Sequence, residues 1–243
     1  MSELGQLLLD MTPAVEFGWA GRIYVFVLLV IVPFLALLQP DDRELALPQR
    51  NSLYVSAVVG ISVLTVFTIL VLVLEETPLP DVGFHSTGVA QFIGWTVLTT
   101  VGALAGDFFI TRAALRLGIR ESRLTYHLMP RTRRELLAFM GVSVSAGFGE
   151  ELTYHGFLLA GLAAWLGNGW TAALVANLAF GVLHGYQGHA GVVRGFVMGY
   201  LFCLPVITGA GLWPAMLGHF LVNALLGLGI WKWMVPAEAR TRL

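Results

Sequence analysis

The chain has 243 residues, 57% of them hydrophobic and 12% charged, with a mean hydropathy of +0.77. Soluble domains carry about 25% charged residues, so this composition excludes an ordinary soluble domain and calls for an integral membrane protein. The net charge of -1 offers no basic field for nucleic acid, which is therefore not an expected partner.

A membrane-spanning helix needs about 20 mostly apolar residues. Residues 1–18 hold Glu3, Asp10 and Glu16 and no positive stretch, so no cleavable signal peptide is expected. Apolar stretches follow at residues 17–38, 52–74, 88–110, 136–166, 170–186, 192–208 and 214–233. The expected fold is an all-α polytopic membrane helical bundle of about seven to eight transmembrane helices, the eighth arising if residues 4–11 dock at the surface. The fourth stretch exceeds one crossing and contains Glu150 and Glu151, so it is expected to tilt or bend, with Gly147, Gly149 and Gly156 as points of bending or close contact. Pro214 suits the first turn of the last helix. Cys203 is a lone cysteine in an apolar span, which rules out a disulfide framework and reads as a small core residue.

Basic residues set orientation. Arg112, Arg116, Arg120, Arg123, Arg131, Arg133 and Arg134 crowd the loop after the third span, and Lys232, Arg240 and Arg242 follow the last. Both regions are expected on the cytoplasmic side of an inner (cytoplasmic) membrane, with the N-terminus out. Residues 113–135 read as an amphipathic connector on the membrane surface. Asp107 and Arg112 read as an interfacial pair, and Trp19, Trp165, Trp170, Trp213, Trp231 and Trp233 as an aromatic belt at the helix ends. All intramembrane polar clusters follow Arg134. Residues 1–133 are therefore expected to form a scaffold of three spans plus connector, 134–233 a four-span core, and 234–243 a tail.

Ionised carboxylates in hydrocarbon are costly and survive mainly where function requires them. Helical spacing places Glu151 with His155, and Glu150 with Tyr154 and Thr153. Two neighbouring carboxylates at low dielectric cannot both ionise cheaply, and a carboxylate so placed suits general base and acid work on water and a leaving amine. In the fifth span Asn177 and His184 are seven apart and expected on one face, with Phe180 between them. In the last span His219 and Asn223 lie one turn apart, and an Asn amide is a good neutral donor to an oxyanion. Together these residues offer a base, an imidazole partner and oxyanion donors for acyl transfer to water. His184 nears the inner end of its span while His219 starts from the outer end of its own. They meet only if the sixth span is short or tilted and the 208–213 turn dips into the protein, for which Gly191, Gly195 and Gly199 leave room.

Three motifs carry a resemblance: Glu150-Glu151-Leu152-Thr153-Tyr154-His155, then Phe180 to His184, then His219 to Asn223 preceded by Leu212-Trp213-Pro214-Ala215. In this order they resemble the CPBP intramembrane proteases, which include type II CAAX prenyl endopeptidases and bacteriocin-processing or immunity proteins, over about residues 134–231. The resemblance implies peptide-bond hydrolysis of a membrane-associated or lipidated, CAAX-like substrate. Glu150 would activate water alongside His184, and His219 and Asn223 would stabilise the oxyanion, with Glu151 in the same set. His155, Tyr154, Phe180 and Asn177 would support them. His155 stands where the family pattern has Arg, a permanent cation for Glu151. The support thus becomes pH-dependent.

Glutamate-activated water with oxyanion donors requires no cofactor, although Glu150, His184 and His219 would also suit zinc. Membrane lipids and an embedded or lipidated peptide are the expected partners. A catalytically reduced binding or immunity protein with the same fold is the alternative that the His155 departure motivates. A proton-coupled transporter is a third, weakened by the absence of an inverted repeat.

Overall fold

The computed structural model describes residues 12–38, 47–119 and 122–235. Residues 4–11, Arg120, and the tail beyond 235 with Arg240 and Arg242 lie outside the described residues. All regular structure among those described is helical, as the apolar runs require in a solvent that cannot satisfy an open backbone. In chain order the helices are α1 (Trp19–Leu37), α2 (Arg50–Leu74), α3 (Val89–Arg116), α4 (Arg123–His127), α5 (Arg133–Ser145), a π-helical segment (Ala146–Leu158), α6 (Leu159–Leu166), α7 (Gly169–Leu183), α8 (His189–Ile207), α9 (Leu212–Gly227) and α10 (Trp231–Met234).

Four helices, α1, α2, α3 and α8, are long and apolar enough to cross a membrane. At 1.5 Å per residue the 25 residues of α2 extend about 37 Å, more than the hydrocarbon core of about 30 Å. The other three expected stretches are helical but do not meet that length. α7 has 15 residues and α9 has 16, and the 136–166 path is interrupted by the π segment. Their ends explain the shortening. α7 stops in a 3-10 turn at His184–Gln187, and α9 starts from a turn whose Ala210 and Leu212 are fully buried. Irregular backbone at depth is tolerated where protein covers it. The Leu212 N–H donates to the Gly83 carbonyl, which ties that turn inside the molecule.

Burial rises along the chain. The apolar side chains of α2, including Val55, Val59, Val63, Phe67, Leu70 and Val73, are exposed, whereas residues 151–163 are buried without a break. An outward-facing apolar surface of this kind is a lipid-facing one. The core joins Phe17, Tyr24 and Leu28 from the N-terminal side to Leu152, Phe157 and Leu158 of the π segment, with Phe17 stacked on Phe157 at 4.4 Å between ring centres. Ala172, Ala173 and Ala176 leave α7 slim enough to pack directly onto this core.

Two carboxylates fasten element ends. Glu75, at the end of α2, accepts from the backbone N–H groups of Gly18 and Gly21 and so caps α1 from another element. At the start of α5, Thr132 and Glu135 form a reciprocal capping box. Glu135 lies outside the spans, and the Arg131 backbone N–H, assisted by the Thr132 N–H and by Arg50, holds its carboxyl below the usual range. Because the folded value is depressed, its contribution is present above the unfolded value and is lost as pH falls through the folded one. Thr132→Ala is expected to cost about 1 kcal/mol and to flatten that acid dependence. Thermal midpoints of both proteins across the acid range check this.

The 113–135 connector does not lie apart on the surface as one amphipathic stretch. α3 runs to Arg116, and α4, capped by Ser122, docks on the start of α2. Arg50 Nε donates to the His127 carbonyl at 2.7 Å and the Tyr54 hydroxyl to the Leu128 carbonyl at 2.8 Å.

Candidate functional site

Glu150 and Glu151 are consecutive residues of the π segment and face different surroundings. Glu150 is partly exposed and lines a cavity of about 210 Å³, while Glu151 is fully buried behind it. The π segment departs from the ordinary α spacing assumed for this stretch. Isolated π turns are frequent at functional sites, and here the widened coil continues for 13 residues. Gly147 lets it lie directly on the α9 backbone, since a Cβ there would come within 2.7 Å of the Met216 carbonyl oxygen.

The Glu151 carboxylate bridges two imidazoles. Its Oε2 meets His155 Nδ1 and its Oε1 meets His219 Nδ1, both at 2.7 Å. On its far side, His155 Nε2 is 3.0 Å from Asn177 Oδ1. The Asn177 amide is oriented by its own donor group, which reaches the Ala173 carbonyl at 2.8 Å and Cys203 Sγ at 3.2 Å, so Oδ1 must accept. His155 Nε2 therefore carries hydrogen, and a second proton lies between His155 Nδ1 and Glu151. With Glu151 ionised, His155 is an imidazolium that donates on both sides. Asn177 hydrogen-bonds His155, while Asn177 and His184 both face α8, at Gly199 and Gly195. Cys203 is fully buried, as its apolar setting suggested.

His184 begins the 3-10 turn after α7. Its Nδ1 donates to the Phe180 carbonyl at 2.9 Å, the one role open to a nitrogen facing a carbonyl, and this leaves Nε2 as the acceptor of the ring. The Phe180 ring packs against His184, His155 and Tyr154 at 4.8, 5.1 and 5.4 Å between centres, which locks all three. Tyr154 is buried, and its hydroxyl has no hydrogen-bond partner among the described residues. Thr153 turns away from Glu150 and shares a hydrogen bond with Thr68 of α2.

Glu150, His184, His219 and Asn223 line the same cavity. The meeting of α7 and α9 that their opposed ends made awkward is achieved by α8 and the buried turn. Gly195 lets α8 sit against the His184 ring, where a Cβ would come within 2.8 Å of Nδ1, and Gly199 does the same at Asn177 and Phe180. His219 lies stacked on Phe202 of α8 at 4.8 Å, with Nε2 3.9 Å from Glu150 Oε2.

The cavity also holds residues that the sequence reading did not place there. Asp107 is not paired with Arg112. It is buried and meets Arg194 Nε of α8 at 2.6 Å, while Arg112 lies over the Phe108 ring. Trp231 lines the cavity and packs against Tyr126, and so does more than anchor a helix end. The signal was present, since Asp107 and Arg194 are isolated opposite charges in two apolar spans.

Among the described residues no three His, Cys, Asp or Glu side chains are grouped as a metal ion requires. His219 Nδ1 is engaged by Glu151, which leaves Nε2 facing Glu150.

A helical membrane bundle that buries a glutamate between two histidines, beside a cavity lined by a second glutamate, concentrates its intramembrane ionisable groups in one place, as a functional site does. Residues 132–225 are similar to the family model described as type II CAAX prenyl endopeptidase Rce1-like. That match and the four long apolar helices support an integral membrane protein. No curated protein and no solved structure matches the chain.

Proposed function

We propose that this protein is an intramembrane endopeptidase that hydrolyses a peptide bond of a membrane-associated or prenylated substrate with water activated by Glu150 and His184. The observation that carries the reading is the shared cavity of Glu150, His184, His219 and Asn223 with Glu151 buried behind His219. Water held by Glu150 and His184 Nε2 attacks the scissile carbonyl carbon and gives its proton to Glu150. The carbonyl π pair moves to oxygen, where His219 Nε2–H and the Asn223 amide donate. Collapse of the tetrahedral carbon breaks the C–N bond, and Glu150 returns the proton to the leaving amine.

His219 Nδ1 faces Glu151, so Nε2 is the atom left for the substrate. We take residues 134–233 as the working core and place the Arg-rich end in the cytoplasm, from which a lipidated peptide would enter.

Membrane fractions from cells carrying the wild type, a deletion or Glu150→Gln test this through the chain termini of their proteins. New termini made by the wild type and missing from both other strains are the expected result. Identical termini in all three would replace the protease reading with that of a binding protein of the same fold.

A further inference from the structure

Tyr186 lines the cavity with Glu150 and His184 but takes no part in water activation or oxyanion binding. It lies in the 3-10 turn after α7, two residues beyond His184, and its ring stacks on the His184 imidazole with 6.1 Å between centres and 26° between planes. Its hydroxyl accepts from Gln187 Nε2 at 2.9 Å. The direction of that bond is settled by the Gln187 amide, whose nitrogen can only donate and whose oxygen turns toward Arg194 Nη1 at 3.5 Å. The phenol thus uses a lone pair on Gln187, and its O–H hydrogen has no acceptor among the described residues. Tyr54, which lines the same cavity, differs, since its O–H is committed to the Leu128 carbonyl at 2.8 Å. The turn itself is tied at both ends. His184 Nδ1 donates to the Phe180 carbonyl, and the Gln187 backbone carbonyl accepts from the Ser122 N–H at 3.3 Å.

A purely structural phenol explains only half of this. As a prop for Gln187 the oxygen needs its lone pair alone, and the O–H is then a donor left unmatched at the cavity. A neutral O–H suits a neutral acceptor, and the one that a peptide presents at every residue is its backbone carbonyl. The oxyanion donors His219 and Asn223 stand on α9, whereas Tyr186 stands on the turn after α7, a different wall of the cavity. In an extended peptide successive units face opposite ways. A chain whose scissile carbonyl points at α9 therefore turns the neighbouring carbonyl away from it. Resting on the endopeptidase reading for the identity of the occupant, we propose that Tyr186 is a substrate-binding residue whose O–H takes the backbone carbonyl of a residue adjacent to the scissile bond. Gln187 holds the phenol in place through its lone pair. The contact fixes the peptide across Glu150 and His184 Nε2, and because it grips backbone it adds no preference for a side chain.

The test is equilibrium binding of labelled N-octanoyl-Leu-Leu-Leu amide to the full chain in nanodiscs. Two analogues stand beside it, in each of which one Leu-Leu peptide bond is an (E)-alkene that keeps the extended shape and removes the carbonyl with its N–H. The wild type is expected to bind at least one analogue about tenfold more weakly than the parent peptide. Tyr186→Phe keeps the ring on His184 and should bind the parent about tenfold more weakly but that analogue as the wild type does, so that the difference disappears. A merely structural role would weaken all three probes together. Equal binding of the three by the wild type, no saturable binding of the parent, or a difference that persists in Tyr186→Phe would each overturn the contact. The wild-type comparison stands even if Tyr186→Phe folds poorly. Binding is independent of turnover, so a Tyr186-dependent difference without Glu150-dependent cleavage would keep the contact and reject the protease, and the converse would keep the protease and reject the contact.

Discussion

Glu150→Gln is expected to lower kcat on a cleavable substrate about a thousandfold, with KM changing by less than about threefold. The substitution keeps the shape of a side chain that lines the cavity and is partly open to it. It removes the one property that the reaction needs there, an oxygen able to take a proton from water and return it to the amine. His184→Ala should cost about a hundredfold, because it deletes the second acceptor without touching the first. Asn223→Ala should act on kcat in the same range, as removal of an oxyanion donor does. Single-turnover kinetics on the substrate identified by its new termini provide the measurement. Retention of more than a tenth of wild-type kcat by Glu150→Gln would remove this residue from the role of base.

The helical class and the order of the polar residues were legible in the sequence, because apolar run length and intramembrane charge are both local properties. So was the need for close packing at Gly195 and Gly199, which the opposed ends of α7 and α9 demanded. Contacts that depend on which neighbour arrives were not legible. Asn177 and His184 both face α8, but the seven-residue spacing could not say which side chain each would pair with. Asn177 is left to α8 and the π segment, where His155 needs an acceptor.

Asp107 shows the same limit from the other side. Sequence distance favoured Arg112, five residues on, but a buried carboxylate requires a partner at its own depth. That partner is 87 positions away, on α8. Run length counts apolar residues, and in the core region some of those residues belong to a protein-buried turn at 210–212.

His155→Ala is expected to destabilise the protein by about 3 to 5 kcal/mol, the cost of leaving a buried charge without its partner. Glu151 is fully buried, and among the described residues its carboxylate hydrogen-bonds His155 and His219 alone. Glu151→Ala should cost a similar amount, since it strands the His155 imidazolium. The double variant should be less damaged than the sum of the two, with a coupling of about 2 to 3 kcal/mol. Thermal unfolding of the four proteins in one detergent measures the cycle, and strict additivity would show that the shared proton stabilises nothing. His155→Arg separates charge from identity. A guanidinium can span Glu151 and Asn177 as the imidazolium does and keeps its charge at every pH, so this variant should retain most stability and activity. In the wild type, the proton between His155 and Glu151 also fixes the ring of His219 through the second carboxylate oxygen. Glu151→Gln preserves the volume but weakens that hold, and should reduce kcat about tenfold to a hundredfold while leaving substrate binding near wild type. A larger loss in KM than in kcat would mean that Glu151 shapes the cavity and not the orientation of His219.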